Sequence, residues 1–293
     1  MRVLLATDGS DDARAAAAYL GGLPMPADTQ VRVISVVAIP PSPIDIPTVR
    51  DFQGSLHEEA RAIADAAAAT LVKRARTVEA RVIEGDPRDA LVRAAEEWPA
   101  DLVVLGARGL SGVAGFLLGS VSLAVTRHAH CSVLVVKGTV RPVRRVVIAV
   151  DGSEPAAAAV GFVAGLPLGA GATVSLVGVV ERPRFPATTP AAVSGLVREG
   201  IDRIVAERSA ALADTLDRAA APFESRGTPV SRRVAVGHPS RDILEMAEAE
   251  AADLIVMGAR GLGGLKRLLL GSVSEAVLCD ASRPVLIVRS AVA

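Results

Sequence analysis

The stretch ADLVVLGARGL at residues 100–110 returns as ADLIVMGARGL at residues 252–262, with nine of eleven positions identical at an offset of 152. Each copy is a short, continuous apolar run that stops at a Gly-Ala-Arg-Gly loop. Runs of this kind, without apolar-polar alternation, read as strands buried on both faces, as in a parallel sheet covered by helices. The likeness extends outward. RVLLATDGS at 2–10 recurs as RVVIAVDGS at 145–153, an offset of 143. GSVS at 119–122 recurs at 271–274, and VLVVK at 133–137 returns as VLIVR at 285–289. The second copy therefore carries a net nine extra residues in its first half. A period this long marks a duplicated domain, because solenoid repeats run to only about 20–50 residues. The expected domains are 1–138 and 145–293, with a linker at 138–144 that contains Pro142 and basic residues.

Within the first copy, segments at 3–7, 31–37, 77–84, 102–105 and 133–136 read as strands. Helical patterns at 11–20, about 54–73, 87–97 and 120–128 fall between them, with a Pro-rich loop at 39–47. Strict alternation of strand and helix predicts an α/β fold with crossovers between parallel strands. The expected fold class is two tandem doubly wound parallel-sheet domains, Rossmann-like.

Composition narrows the function classes. The 293 residues are 51% hydrophobic and 22% charged, enough to bury a sizeable core and to exclude wholesale disorder. Thirty-two Lys and Arg balance 32 Asp and Glu, so no global charge points to nucleic acid or an anionic membrane. Aromatics are only 2%, which argues against base-stacking platforms. Cys131 and Cys279 alone make neither a disulfide framework nor a zinc site. The first apolar run ends at Asp8, too soon for a secretory leader. Residues 155–180 carry no charge, but Gly161, Gly165, Pro167, Gly169 and Gly171 punctuate them into helix, loop and strand rather than a membrane span. A cytoplasmic protein is expected.

In a doubly wound sheet, ligands sit beyond the carboxyl ends of the strands, at a topological switch point. Two glycine-rich features fall there in each copy: Gly106 to Gly109 after a strand, with Gly119-Ser120-Val121-Ser122 at a helix start, matched by Gly258 to Gly261 and Gly271-Ser272-Val273-Ser274. Glycine lets backbone N–H groups approach an anion, and a helix start adds unpaired donors and the positive end of a dipole. The full spacing G-x2-G-x9-G-S occurs twice without a slip, and a polyphosphate cradle is the expectation; a tight loop plus an ordinary serine N-cap is the plainer alternative. Asp8 and Asp151 end the first strands and serve a nucleoside amino or hydroxyl group or Mg2+, or else form an Asx turn or the N-cap of the next helix. Arg108 and Arg260 lie inside the loops, as phosphate partners or solvated side chains. Asp101 and Asp253 read as turn residues. His128, His130 and Cys131 superficially resemble a soft-metal cluster, but the second copy has Asp280, Ser282 and Arg283 there, so no metal site is expected. His57 and His238 are isolated. Neither a P-loop nor a G-x-G-x-x-G turn is present, and no general base is evident beside the cradle. Holding a nucleotide, rather than efficient hydrolysis, follows; slow Mg-dependent ATP hydrolysis at the same loops is the alternative.

Each half resembles a universal stress protein domain of the ATP-binding type, and the pair resembles a tandem universal stress protein. The resemblance rests on the strand with Asp-Gly-Ser, on G-x2-G-x9-G-S and on the closing V-L-V-V, and covers essentially the whole chain. It implies adenosine contacts from Asp8 with Val36 and from Asp151 with Val179. It further implies ribose and phosphate contacts from Gly106, Gly109, Gly119 and Ser120, and from Gly258, Gly261, Gly271 and Ser272, with Val121, Ser122, Val273 and Ser274 fitting too. ATP, with Mg2+ as a candidate companion, is the implied cofactor, and a stress-response or signalling role the implied function, toward a protein partner that the sequence does not identify. The resemblance also implies antiparallel pairing of the last strands, 133–136 with 285–288, and by analogy a homodimer. The chain departs from the pattern in its longer second-copy segment near 182–190.

Overall fold

The computed structural model describes residues 1–38, 47–110, 118–138, 141–183, 191–261 and 270–290, with backbone alone at 47–50 and 191–196. The Pro-rich loop, linker positions 139 and 140, and most of the longer segment at 182–190 lie outside the described residues. The first half runs β1 (Arg2–Ala6), α1 (Asp11–Gly22), β2 (Gln30–Val37), α2 (Pro47–Ala69), β3 (Thr77–Glu84), α3 (Pro87–Glu97), β4 (Leu102–Gly106), α4 (Ser120–His128) and β5 (Ser132–Val136). The second repeats the series as β6 (Arg145–Ala149), α5 (Glu154–Gly165), β7 (Thr173–Glu181), α6 (Ala191–Glu224), β8 (Val230–Gly237), α7 (Pro239–Ala249), β9 (Leu254–Gly258), α8 (Ser272–Asp280) and β10 (Val285–Val288). The extra length of the second half falls between β7 and β8, where α6 is longer than α2.

All ten strands form one sheet in the order β3-β2-β1-β4-β5-β10-β9-β6-β7-β8. Pairing is parallel within each half. The seam between halves is antiparallel, with Val285 opposite Val135, Leu286 opposite Leu134 and Ile287 opposite Val133. The expected fusion of the last strands thus occurs within one chain, and it makes the sheet mixed rather than wholly parallel. With those edges consumed, a homodimer would have to use another surface.

Successive strand residues point to opposite faces, so each continuous apolar run feeds two cores. Val3, Leu5, Leu102, Val104 and Leu134 pack on the face covered by α1, α2, α5 and α6. Leu4, Val103, Leu105, Val133 and Val135 pack on the other, under α3, α4, α7 and α8. The seam is tied further by residues just beyond β5 and β10. Buried Lys137 donates to the carbonyls of Leu278, Cys279 and Ala281 at the end of α8. Arg289 does the same for α4, donating to Thr126 and Arg127 at 2.8 and 2.9 Å. Each half's last cation therefore closes the last helix of the other half, where a positive charge meets the negative end of the dipole. Arg127 pairs with Glu275 across the same seam. Among the described residues no helix is long and apolar enough to cross a membrane.

Candidate functional site

In each half β1 or β6 is paired on one side with the strand that follows it and on the other with β4 or β9. The chain leaves these neighbouring strands in opposite directions, and a crevice opens at their carboxyl ends. A cavity of about 590 Å³ occupies it in the first half. Its counterpart in the second measures about 400 Å³. Asp8, Val36, Gly106, Arg108, Gly109 and Gly119 to Ser122 all line the first cavity, and Asp151, Val179, Gly258, Arg260, Gly261 and Gly271 to Ser274 line the second. Sequence positions up to 114 residues apart in the first half and 123 in the second are thereby gathered at one point.

The glycines are required by close approach. A Cβ on Gly106 would lie 2.5 Å from the Asp12 carbonyl carbon, so β4 and the first turn of α1 could not pack as they do. Gly258 meets Pro155 in the same way at 2.6 Å. A Cβ on Gly109 would lie 2.5 Å from Asp8 Oδ2, and one on Gly261 would lie 2.4 Å from Asp151 Oδ2.

Asp8 is both turn-former and strut. Its Oδ1 accepts the Ser10 N–H at 3.0 Å, the Asx turn foreseen as the plainer role. Its Oδ2 accepts the Leu110 N–H at 2.9 Å, which pins the glycine loop to the end of β1. The N-cap of α1 is Ser10, not Asp8.

The helix starts at the two cradles, like that of α7, differ from those of α1, α3 and α5. Side-chain oxygens of Ser10, Asp86 and Ser153 cap α1, α3 and α5. Gly119 and Gly271 cap α4 and α8 with no side-chain bond, so Ser120 and Ser272 are first helical residues rather than the N-caps of the plainer reading. The N–H groups of Ser120, Val121 and Ser122, and of Ser272, Val273 and Ser274, have no acceptor among the described residues. Three aligned donors and the positive dipole end face each cavity, an arrangement that favours an anion. The hydroxyls of Ser122 and Ser274 are spent elsewhere. Buried Ser122 donates to Gly106 O at 2.8 Å and Ser274 to Gly258 O at 2.9 Å, tying each helix start to the strand beside it. Only their N–H groups remain for a ligand.

The opposite wall is apolar. Ala6, Ile34, Val36, Leu91 and Leu105 line it in the first half, and Val150, Val177, Val179, Ile243 and Met257 in the second. Sequence reading named only one of these per site, because a strand residue at a cavity and one in the core carry the same apolar signal. It also missed Glu181, which ends β7 inside the second cavity, and the ion pair of Arg108 with Asp12 at 3.0 Å.

The remaining candidates lie elsewhere. Asp101 and Asp253 sit at the amino ends of β4 and β9 and hold backbone N–H groups of Arg2, and of Arg144 and Arg145. His130 pairs with Glu96 at 2.7 Å, His128 is exposed, and burial pushes the Cys131 thiol up to about 11. Among the described residues no three His, Cys, Asp or Glu side chains converge on a metal-sized space. His57 pairs with Glu84 at 3.0 Å, and His238 lies 3.2 Å from the Ser240 hydroxyl.

Comparison with known proteins agrees with this architecture. The Universal stress protein family model matches residues 1–137 and again 142–289. A universal stress protein of Mycobacterium tuberculosis is 34% identical over 226 residues, covering 73% of this chain and 69% of that protein. The crystal structure of a universal stress protein from Archaeoglobus fulgidus has the same fold, with a TM-score of 0.68 at 23% identity over 98% of this chain and 96% of its own. A universal stress protein solved in complex with cAMP is 32% identical, covers 46% of this chain and 96% of its own, and has a TM-score of 0.34.

Proposed function

The chain belongs to the universal stress protein family over both halves, and from that premise we propose that it is a cytoplasmic ATP-binding protein of the stress response, holding one adenine nucleotide in each of its two domains, 1–138 and 145–293. The observation that carries this reading is the pairing, in each cavity, of a helix start without a side-chain cap and an apolar wall. Phosphates would take the open N–H groups of α4 and α8 with the glycine loops, and Mg2+ would accompany them as counter-charge. The purine would lie against Val36 or Val179, with Asp8 or Asp151 accepting from the nucleoside. The cavity volumes suit a ligand of this size.

Holding rather than hydrolysing fits the chemistry of Asp8. Each of its oxygens already accepts a backbone N–H, from Ser10 and from Leu110, so both are engaged in holding the loop. Bound ATP then acts through stability and partner contacts. A ligand that binds only the folded state contributes about 2.7 kcal/mol at a hundredfold excess over Kd.

Denaturing the purified protein and weighing the released small molecules tests the proposal. Two adenine nucleotides per chain are expected. None released, together with no thermal shift on adding Mg-ATP, would overturn it. Turnover above background that Gly109→Ala with Gly261→Ala abolishes would put slow Mg-dependent ATP hydrolysis in its place.

A further inference from the structure

The two cradles are alike in backbone but differ in where the charge of their arginine goes. In the first, Asp12 in the opening turn of α1 accepts the Arg108 backbone N–H at 3.1 Å and its Nε at 3.0 Å. A terminal guanidinium nitrogen lies 3.5 Å from the other carboxylate oxygen. Asp12 thus satisfies the loop backbone and neutralises the loop cation together. The offset of 143 that relates the two helix starts puts Pro155 where Asp12 stands. The backbone there is equivalent, since Gly258 packs against Pro155 as Gly106 packs against Asp12. Proline offers no carboxylate. Among the described residues Arg260 has no ion-pair partner, and its backbone N–H has no acceptor.

Neighbouring charges do not restore the balance. Arg289, half-buried just beyond β10, has its pKa lowered first by burial and then by the positive charge of Arg260, so the charge nearest Arg260 there is a cation rather than a counter-ion. Glu181 lines the second cavity two residues beyond Val179 and makes no ion pair with Arg260. The first loop therefore sums to zero where the second keeps a positive charge. A phosphate that drew Arg108 off Asp12 would not change this, because the Asp12 carboxylate would stay beside the anion as a like charge.

We propose that the two sites differ in how strongly they discriminate phosphate number: the second does so through Arg260 in addition to its helix start, whereas the first, its Arg108 held by Asp12, discriminates more weakly. This rests on the nucleotide reading of both cavities. A guanidinium free to form charge-assisted, two-pronged bonds to phosphate gains with each added charge, so the preference for ATP over AMP is about tenfold larger at the second site.

Titration calorimetry with AMP, ADP and ATP tests it, using Gly261→Ala to report the first site and Gly109→Ala to report the second. Asp12→Asn in the first background raises the ATP-to-AMP preference. Pro155→Asp in the second lowers it; an acidic residue suits that first-turn position. The same two substitutions in the otherwise native chain shift the two-site isotherm in the same directions, so the test does not hang on either glycine variant folding. Equal preferences at both sites, a larger one at the first, or swaps without effect would overturn the inference while leaving two nucleotides bound. Failure of the native chain to bind any of the three would instead remove the nucleotide reading beneath it.

Discussion

Replacing Gly109 by alanine tests the strut that joins the glycine loop to β1. The added methyl would sit 2.5 Å from Asp8 Oδ2, about half an ångström inside the closest approach that real Cβ atoms make. Gly109 does not adopt a positive φ, so the alanine backbone itself is unstrained and the clash alone acts. Relief requires Asp8 to swing away, which gives up the 2.9 Å bond from Leu110 N–H. That bond is partly solvated, and losing it costs the folded state about 1 kcal/mol, a fall in Tm of about 2–4 °C. The ligand loses more. If Asp8 accepts a bond from the nucleoside, removing a charged partner costs about 1.5–3 kcal/mol, or ten- to more than a hundredfold in affinity. Calorimetry with Mg-ATP should then count one tight site per chain where the native protein shows two, with the second site untouched. Two tight sites of native affinity in a folded Gly109→Ala protein would refute the reasoning, because Asp8 could not then occupy the position it holds and also serve the ligand.

Other perturbations probe the scaffold. Gly161, inside α5 with no atom near its would-be Cβ, should accept alanine with a gain of about 0.5–1 kcal/mol in denaturant unfolding and unchanged nucleotide binding. Burial lowers the Lys137 pKa to about 8, against about 10.4 in an unfolded chain. Between those values the unfolded chain binds the extra proton, so Lys137 makes stability rise with pH, by at most about 1.4 kcal/mol per unit; this slope should vanish in Lys137→Met when unfolding is followed from pH 8 to 10. Burial pushes the Asp253 pKa up, but bonds from Arg145 and Arg144 outweigh it and hold the carboxyl below its usual range. Its contribution is present above the unfolded value of about 3.9 and lost as pH falls through the folded one. Asp253→Asn should therefore lower stability at neutral pH by about 1–3 kcal/mol and flatten the acid limb of the stability curve.

The candidate site was legible in the chain wherever backbone made it. Gly106 and Gly109 are sites where a side chain would collide with a neighbouring segment, and Gly258 and Gly261 meet the same demand in the second half; a Cβ on Gly119 would be tight against Ala107 O at 3.1 Å, and one on Gly271 would make ordinary contact. The apolar wall was not legible, since Ile34 and Leu105 at the cavity carry the same signal as Val33 and Val104 in the core. The plainer role assigned to Ser120 fails because Gly119, not the serine, is the capping residue.

The chain alone determined that there are two copies of one βα unit, that β1, β4 and β5 and their second-copy counterparts are buried on both faces, though not the edge strands β3 and β8, and that glycine loops follow β4 and β9. These are local or repeated properties, written in apolar period and in steric need. The structure shows the seam between β5 and β10 that the family resemblance implied, and only it decided that Lys137 and Arg289 close each other's helices and that Asp12 neutralises Arg108 while Arg260, across from Pro155, has no ion-pair partner among the described residues. Such facts depend on distance in space between residues about 96 to 163 positions apart, and charges and hydrogen bonds act over ångströms that no reading along the chain can measure.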